Sequence, residues 1–163
     1  MLTVIDIPQA APPSRADAET LVPPTDGLRW IDIQSPSPEL LERLRLPFGL
    51  HPLAIEDCLT FEQRPKLEEY PGHLFVVIHE LSRTATDPIG QEIHAFLGPN
   101  FLITVHAHAC RRIQLLCERV IGDSSLHARG IPFLYYLLAD GVASQNGDVV
   151  DALADSIESV EQE

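Results

Sequence analysis

The most constraining feature of this chain is the run Phe-Leu-Ile-Thr-Val at residues 101–105. A short, almost wholly apolar run predicts a strand that is buried on both faces, at the centre of a sheet. Such a strand needs neighbouring strands on both sides and helices over both faces. Further strands are predicted at residues 28–33, 74–81 and 92–97, and a short first strand at residues 2–7.

Two helices are predicted ahead of the central strands. Ser37 suits an N-cap and Pro38 a first helical position, and Pro47 should end that helix at residue 46 because proline lacks the backbone N–H. Pro52 also fits a first helical position and predicts a short second helix.

Helices are also predicted after the strands. Residues 111–121 form a helical pattern with Gly122 as its C-cap, and Pro132 opens a later helix. The Asn-Gly pair at residues 146–147 is expected to break or kink that helix, with Asp148 capping a last one.

This order of elements predicts an α/β fold, an αβα sandwich whose central mixed β-sheet is covered by helices. The expected organisation is an N-terminal strand and Pro-rich arm over residues 1–27, then one α/β domain over residues 28–163. The segment 8–24 is rich in Pro, Ala and small polar residues and is predicted to be a loop or a loosely held arm. The domain should end in the start of a long acidic helix.

The charge balance limits the classes of partner that this chain can bind. The formal net charge is −13, which argues against nucleic acid or anionic lipid as partner, since both would be repelled. It fits cations, a basic partner segment, or simple solubility. No phosphate-binding loop and no nucleophile elbow occurs, so the chain is not expected to be an enzyme. Without a signal peptide or a run of about 20 apolar residues, it is expected to be a soluble piece that does not cross a membrane.

The cysteines and histidines offer weak metal motifs only. Cys58, Cys110 and Cys117 lack metal-ligand or disulfide spacing and are expected to be reduced thiols of a cytosolic domain. His106 and His108 could share one zinc ion, although ordinary loop histidines are the commoner interpretation.

Acidic residues dominate the last helix. Four of them share one helical stripe, at Asp148, Asp151, Asp155 and Glu158. A parallel apolar seam has the spacing of helix-on-helix packing, at Val150, Leu153, Ile157 and Val160. The stripe could be neutralised by solvent and salt, by a basic partner segment, or by divalent cations. Residues 160–163 hold no helix-stop signal, so we expect the chain to stop within a helix.

The most specific motifs are His-Pro-Leu-Ala-Ile-Glu-Asp-Cys-Leu at residues 51–59 and Arg-Pro-Lys-Leu-Glu-Glu-Tyr at residues 64–70. Together with Trp-Ile-Asp at residues 30–32, Asn-Phe-Leu-Ile-Thr at residues 100–104 and Phe-Leu-Tyr-Tyr-Leu-Leu-Ala-Asp at residues 133–140, they resemble the CorA family of magnesium channels. The family's transmembrane helices and Gly-Met-Asn pore signature do not occur in the sequence, and its long stalk helix is represented only by an upstream portion.

The resemblance implies a cytoplasmic, divalent-cation-sensing regulatory domain of a magnesium and cobalt transporter that assembles as a homopentamer. It would lie on the cytoplasmic face of the inner membrane and contact the membrane only through C-terminal transmembrane helices. The ion would be Mg²⁺, with Co²⁺ or Zn²⁺ as alternatives, and no nucleic acid is expected. A zinc-transporting sister branch and a free-standing acidic interaction domain stay open as alternatives.

The resemblance also implies three metal ligands at contacts between copies: Glu56, Asp57 and Asp140. Carboxylates from neighbouring copies would repel until a cation binds between them, which would hold the closed state. The alternative is structural: Arg64 and Lys66 are close enough in sequence to form ion pairs within the domain.

Overall fold

The computed structural model describes residues 1–19, 21–83 and 88–161. The described residues contain a seven-stranded sheet of order β2-β1-β3-β7-β6-β5-β4. Its strands are β1 Leu2–Ile7, β2 Ser14–Arg15, β3 Leu28–Gln34, β4 Lys66–Tyr70, β5 His73–Arg83, β6 Pro88–Leu97 and β7 Phe101–His106. The helices are α1 Pro38–Phe48, α2 Pro52–Thr60, α3 Arg111–Gly122 and α4 Gly130–Glu161, with a 3-10 helix at Leu126–Arg129.

The central position of β7 confirms the prediction from its apolar run. Strand β7 lies parallel to β3 on one side and antiparallel to β6 on the other, so the sheet is mixed. All six residues of Phe101–His106 are buried, as expected of a strand covered on both faces.

Two separate apolar cores confirm the αβα sandwich. One core packs side chains of β3, β5, β6 and β7 against α1 and α2. The other packs the opposite side chains of the same strands against α3 and α4. Neighbouring residues of β7 alternate between the cores, with Ile103 in the first and Leu102 in the second.

Helix α1 starts as predicted but does not end where predicted. Ser37 caps it by accepting a hydrogen bond from Leu40 N. The prediction that Pro47 ends the helix at residue 46 is wrong, because α1 continues through Pro47 to Phe48. The proline falls in the last turn, and Gly49 at φ 64° closes that turn. A left-handed glycine there satisfies the final carbonyls, which limits the loss to one N–H.

Two predicted features of the later helices are also wrong. Gly122 is the last residue of α3 rather than its cap, and the extended residue Asp123 follows it. Residues 146–147 do not interrupt α4, which is one helix from Gly130 to Glu161. Residues 162–163 lie outside the described part of the chain.

Tertiary contacts explain why α4 continues through Asn146. Its side-chain amide donates to His79 O (2.8 Å) and its Oδ1 accepts from Leu81 N (2.8 Å). Strand β4 pairs with β5 only as far as Val77, so these backbone groups lie beyond the end of that pairing. Asn146 therefore takes the place of a neighbouring strand, a role that local sequence does not reveal.

The N-terminal arm is held to the sheet, in contrast to the predicted loosely held arm. Strand β2 pairs with β1, and Leu21 is buried in the first core. Arg29 donates to both Asp6 carboxylate oxygens (2.6 and 2.8 Å) and to Val22 O (2.6 Å). Strand β1 also pairs with β3, so pairing crosses the predicted division between residues 27 and 28.

Candidate functional site

Helix α2 positions two of the three predicted ligands. It begins at Pro52, and His51 caps it by accepting a hydrogen bond from Leu53 N at Nδ1 (3.3 Å). The apolar side of α2 is buried, so the opposite side leaves Glu56 exposed and Asp57 half-buried. Both carboxylates are thus fixed on a short, capped helix.

Asp57 does not point freely into solvent. Its Oδ2 lies 2.6 Å from the Nζ of Lys66 on β4. The same ammonium lies 3.1 Å from Glu68 Oε1. The intradomain ion pair that the sequence left open for Lys66 is therefore present for Asp57, which already has a positive partner within its own chain.

The Lys66 ion pairs belong to a larger network. The hydroxyl of Tyr70 donates to the second Glu68 oxygen (2.8 Å). The ring of His51 stacks on Tyr70, with centroids 4.2 Å apart and planes 12° from parallel. Burial acts to lower the pKa of Lys66, but its two carboxylate partners outweigh it and leave that pKa raised. The network keeps the ammonium charged and joins α2 to β4.

Asp140 lies on the other side of the sheet. It is exposed on α4, and α4 covers the core opposite to the one that α2 covers. The structure therefore does not bring Asp140 together with Glu56 and Asp57 within one copy. A single ion could contact both helices only if two copies contributed.

The three thiols lie within the two apolar cores. Cys58, Cys110 and Cys117 are buried and free, as predicted. Burial raises the pKa of Cys110 and Cys117 to about 12 and that of Cys58 well above its usual value. Across the described ranges, no group of three or more His, Cys, Asp or Glu residues is arranged to hold a metal ion.

The histidine pair considered for zinc is not arranged as a metal site. The buried His106 ring contacts the backbone carbonyl of His108 at Nδ1 and Asp32 Oδ1 at Nε2 (3.2 Å). Both ring nitrogens therefore have protein partners, and His108 is exposed.

Two further strand histidines, His79 and His94, have hydrogen-bond partners within the chain. His79 Nε2 lies 2.8 Å from Gln63 O, and His94 Nε2 lies 2.8 Å from Glu92 Oε2. Burial lowers the pKa of His94 despite the Glu92 carboxylate. Neither histidine points to a metal centre.

A buried polar chain was missed from the sequence. Trp30 Nε1 donates to Thr104 Oγ1 (3.0 Å), whose hydroxyl donates to Asp32 Oδ1 (2.6 Å). Asp32 also contacts His106. These polar residues alternate on β3 and β7 and share one sheet face, so the parallel pairing of the two strands would have been needed to find them.

The acidic stripe of α4 is exposed, together with most of its apolar seam. Val150, Ile157 and Val160 are 55%, 60% and 73% exposed, and Leu153 is partly buried. Val149 is buried instead, one residue from the predicted seam. Within the described ranges, no helix is both long and apolar enough to span a membrane.

Comparison with known proteins supplies the family. The model of the CorA-like Mg2+ transporter protein family matches residues 25–163. YfjQ of Bacillus subtilis (strain 168) is 32% identical over 133 residues, which cover 82% of this chain and 41% of YfjQ. The cobalt/magnesium transport protein CorA of Thermotoga maritima is 23% identical over 153 residues, or 90% of this chain and 44% of that protein.

A solved structure shares the fold. The complete structure of the CorA magnesium transporter from Methanocaldococcus jannaschii matches with a TM-score of 0.76 at 19% identity, covering 99% of this chain and 50% of that one. The chain thus spans less than half the length of the two relatives above. Since the family model matches well over half of the sequence, this chain belongs to the CorA-like Mg2+ transporter family.

Proposed function

We propose that this chain is the cytoplasmic, divalent-cation-sensing regulatory domain of a CorA-like magnesium transporter that assembles as a homopentamer. In this proposal Mg²⁺ binds between neighbouring copies through Glu56, Asp57 and Asp140 and stabilises the closed state. One observation carries the proposal: α2 and α4 present their acids on opposite layers of the sandwich. A site that uses both helices must therefore lie between copies.

Electrostatics supports a cation-dependent contact. Each copy has a formal net charge of −13, so copies repel unless cations neutralise facing carboxylates. Mg²⁺ is a hard cation that uses one or two carboxylates and keeps several waters. Bound Mg²⁺ would favour the assembled arrangement over one in which the copies move freely.

The available ligands favour Mg²⁺ over Zn²⁺ for this sensor. Zinc in structural sites is held by thiolate and imidazole ligands, whereas the three thiols are buried with raised pKa values. The Thermotoga maritima relative is named for cobalt and magnesium transport. The ion that the whole protein transports would be set by the family's transmembrane helices, and those helices would make the membrane contact.

The proposal is tested by Mg²⁺-dependent association. Light scattering and thermal unfolding are followed while millimolar Mg²⁺ is added at constant ionic strength. The wild-type chain is expected to associate and to unfold at a higher temperature. Glu56→Gln and Asp140→Asn should each remove the effect, whereas Asp151→Asn, an exposed acid on α4, serves as the matched control.

Mixing two inactive variants separates a shared site from two independent ones. In a ring, each contact would pair Glu56 of one copy with Asp140 of its neighbour. In the mixture, a contact between Glu56 of an Asp140→Asn copy and Asp140 of a Glu56→Gln copy keeps both acids. A partial recovery of Mg²⁺-dependent association is therefore expected on mixing. A wild-type response that both single variants retain would refute the shared site.

A further inference from the structure

Lys66 is the single lysine of this chain, and its ammonium contacts two carboxylates. Its Nζ lies 2.6 Å from Asp57 Oδ2 and 3.1 Å from Glu68 Oε1. Asp57 comes from α2 and Glu68 from β4, so the ammonium joins two elements. Residues 66 and 68 project from the same face of β4, which directs both side chains toward α2.

The ammonium is held in place from several sides. The Lys66 side chain is 27% exposed and that of Asp57 20% exposed, so the pair differs from a solvated surface ion pair. The Lys66 Nζ lies 5.7 Å from the centroid of the Phe75 ring beneath it. Tyr70 holds the second oxygen of Glu68, which fixes that carboxylate toward the lysine.

The two carboxylates around Lys66 are the kind of ligands that Mg²⁺ uses, one or two carboxylates with waters completing the shell. The lysine supplies one positive charge to a pair that carries two negative charges. A divalent cation can take the place at Asp57 Oδ2 only when the ammonium leaves it, because both would occupy the same position. Binding of the cation at this oxygen therefore includes the loss of the 2.6 Å Lys66–Asp57 contact.

We infer that Lys66 is a tethered competitor of divalent cations at Asp57 and thereby sets the concentration at which the site responds. This inference rests on the proposed role of Asp57 in cation sensing. Lys66 lowers the affinity of the resting site, so that only a high cation concentration displaces it. The side chain excludes cations from Asp57 rather than binding them.

Substitution of Lys66 provides the test. Lys66→Met keeps an apolar side chain over Phe75 and removes the charge, whereas Lys66→Arg keeps the charge. Mg²⁺ is titrated into the chain at constant ionic strength, and the backbone amide signals of α2 are followed by NMR. Lys66→Met is expected to bind Mg²⁺ about tenfold or more tightly than the wild type, because one positive charge at contact distance is removed. Lys66→Arg should match the wild type.

The double variant Lys66→Met with Asp57→Asn should lose the whole gain. A gain that survives Asp57→Asn, or a Lys66→Met affinity equal to the wild type, overturns the inference. If Asp57→Asn weakens Mg²⁺ binding of the wild type while Lys66→Met changes nothing, only the competitor role fails. If Asp57→Asn leaves wild-type binding unchanged and Lys66→Met brings no gain, the sensing role of Asp57 fails with it.

A second measurement needs no variant and so does not depend on how Lys66→Met folds. Lys66 offers the only lysine amine for acylation, and mass spectrometry separates its peptide from the labelled N-terminus. Its reactivity in the wild-type chain is expected to rise as Mg²⁺ displaces it from Asp57. Reactivity that is unchanged at saturating Mg²⁺ overturns the inference.

Discussion

Replacement of Thr104 by valine should destabilise the domain far more than its change in size suggests. Thr104 is fully buried, and its hydroxyl accepts from Trp30 Nε1 (3.0 Å) and donates to Asp32 Oδ1 (2.6 Å). Valine has the same branched shape but can neither accept nor donate a hydrogen bond. The substitution therefore removes the hydrogen bonds while leaving the packing volume almost unchanged.

The expected cost follows from the two lost contacts. An indole N–H left buried without a partner costs about 1–3 kcal/mol, and a lost hydrogen bond to a carboxylate about 1.5–3 kcal/mol. The added methyl group returns about 1 kcal/mol through burial. The free energy of unfolding should therefore fall by about 3 kcal/mol. Thr104→Ser, which keeps the hydroxyl, should cost only about 1 kcal/mol.

Urea unfolding followed by far-UV circular dichroism measures both variants, with an unchanged m-value as the check on two-state behaviour. A double-mutant cycle with Trp30→Phe then isolates the indole contact. Because Phe has no N–H to leave unpaired, the effect of Thr104→Val should shrink by about 1–2 kcal/mol in that background. Equal costs for Thr104→Val and Thr104→Ser, or full additivity with Trp30→Phe, would refute the reasoning.

Further predictions concern His106, Asn146 and Ser37. Burial acts to lower the pKa of His106, but Asp32 outweighs it and the pKa is raised. The stabilisation of the fold by protonated His106 is therefore complete below about pH 6.5 and fades as pH rises through the raised pKa. In urea unfolding, His106→Gln should therefore cost more at about pH 5.5 than at about pH 8.5; an equal or opposite difference contradicts this. Asn146→Ala should cost about 1–3 kcal/mol and speed hydrogen exchange at the Leu81 amide, and unchanged exchange would argue against the strand-like role of Asn146. Ser37→Ala should lower the free energy of unfolding by about 1 kcal/mol through loss of the N-cap, and no loss in urea titration would show that the cap adds no stability.

Elements with a local physical cause could be predicted from sequence. The apolar run of β7 needs cover on both faces wherever it is placed, and a serine-proline pair starts a helix without tertiary help. The helix ends predicted from Pro47 and Asn146 were wrong because contacts elsewhere in the fold compensate for the helix-breaking effect of each residue. Gly49 closes the turn that holds Pro47, and the unpaired part of β5 receives the Asn146 amide.

An ion pair of Asp57 could be anticipated from sequence, but the arrangement around it could not. The sequence placed Asp57 and Lys66 within reach of each other, yet an ion pair and an exposed metal ligand were equally compatible with their spacing. The stack of His51 on Tyr70 and the place of Glu68 beside Lys66 depend on where β4 lies. The separation of Asp140 from α2 could be predicted only with knowledge of which sheet face each helix covers.

The contacts of β4 indicate how an event at Asp57 would reach the rest of the domain. Among the described residues, strand β4 is the last strand of the sheet and pairs only with β5. Lys66 and Tyr70, at its two ends, hold α2 through Asp57 and His51. A cation that displaced Lys66 would break the link near the end of α2 while the His51 stack kept its start in place. The expected response is a change in the tilt of α2 on the sheet edge, because the contact through Asp57 would be released while the contact through His51 remained.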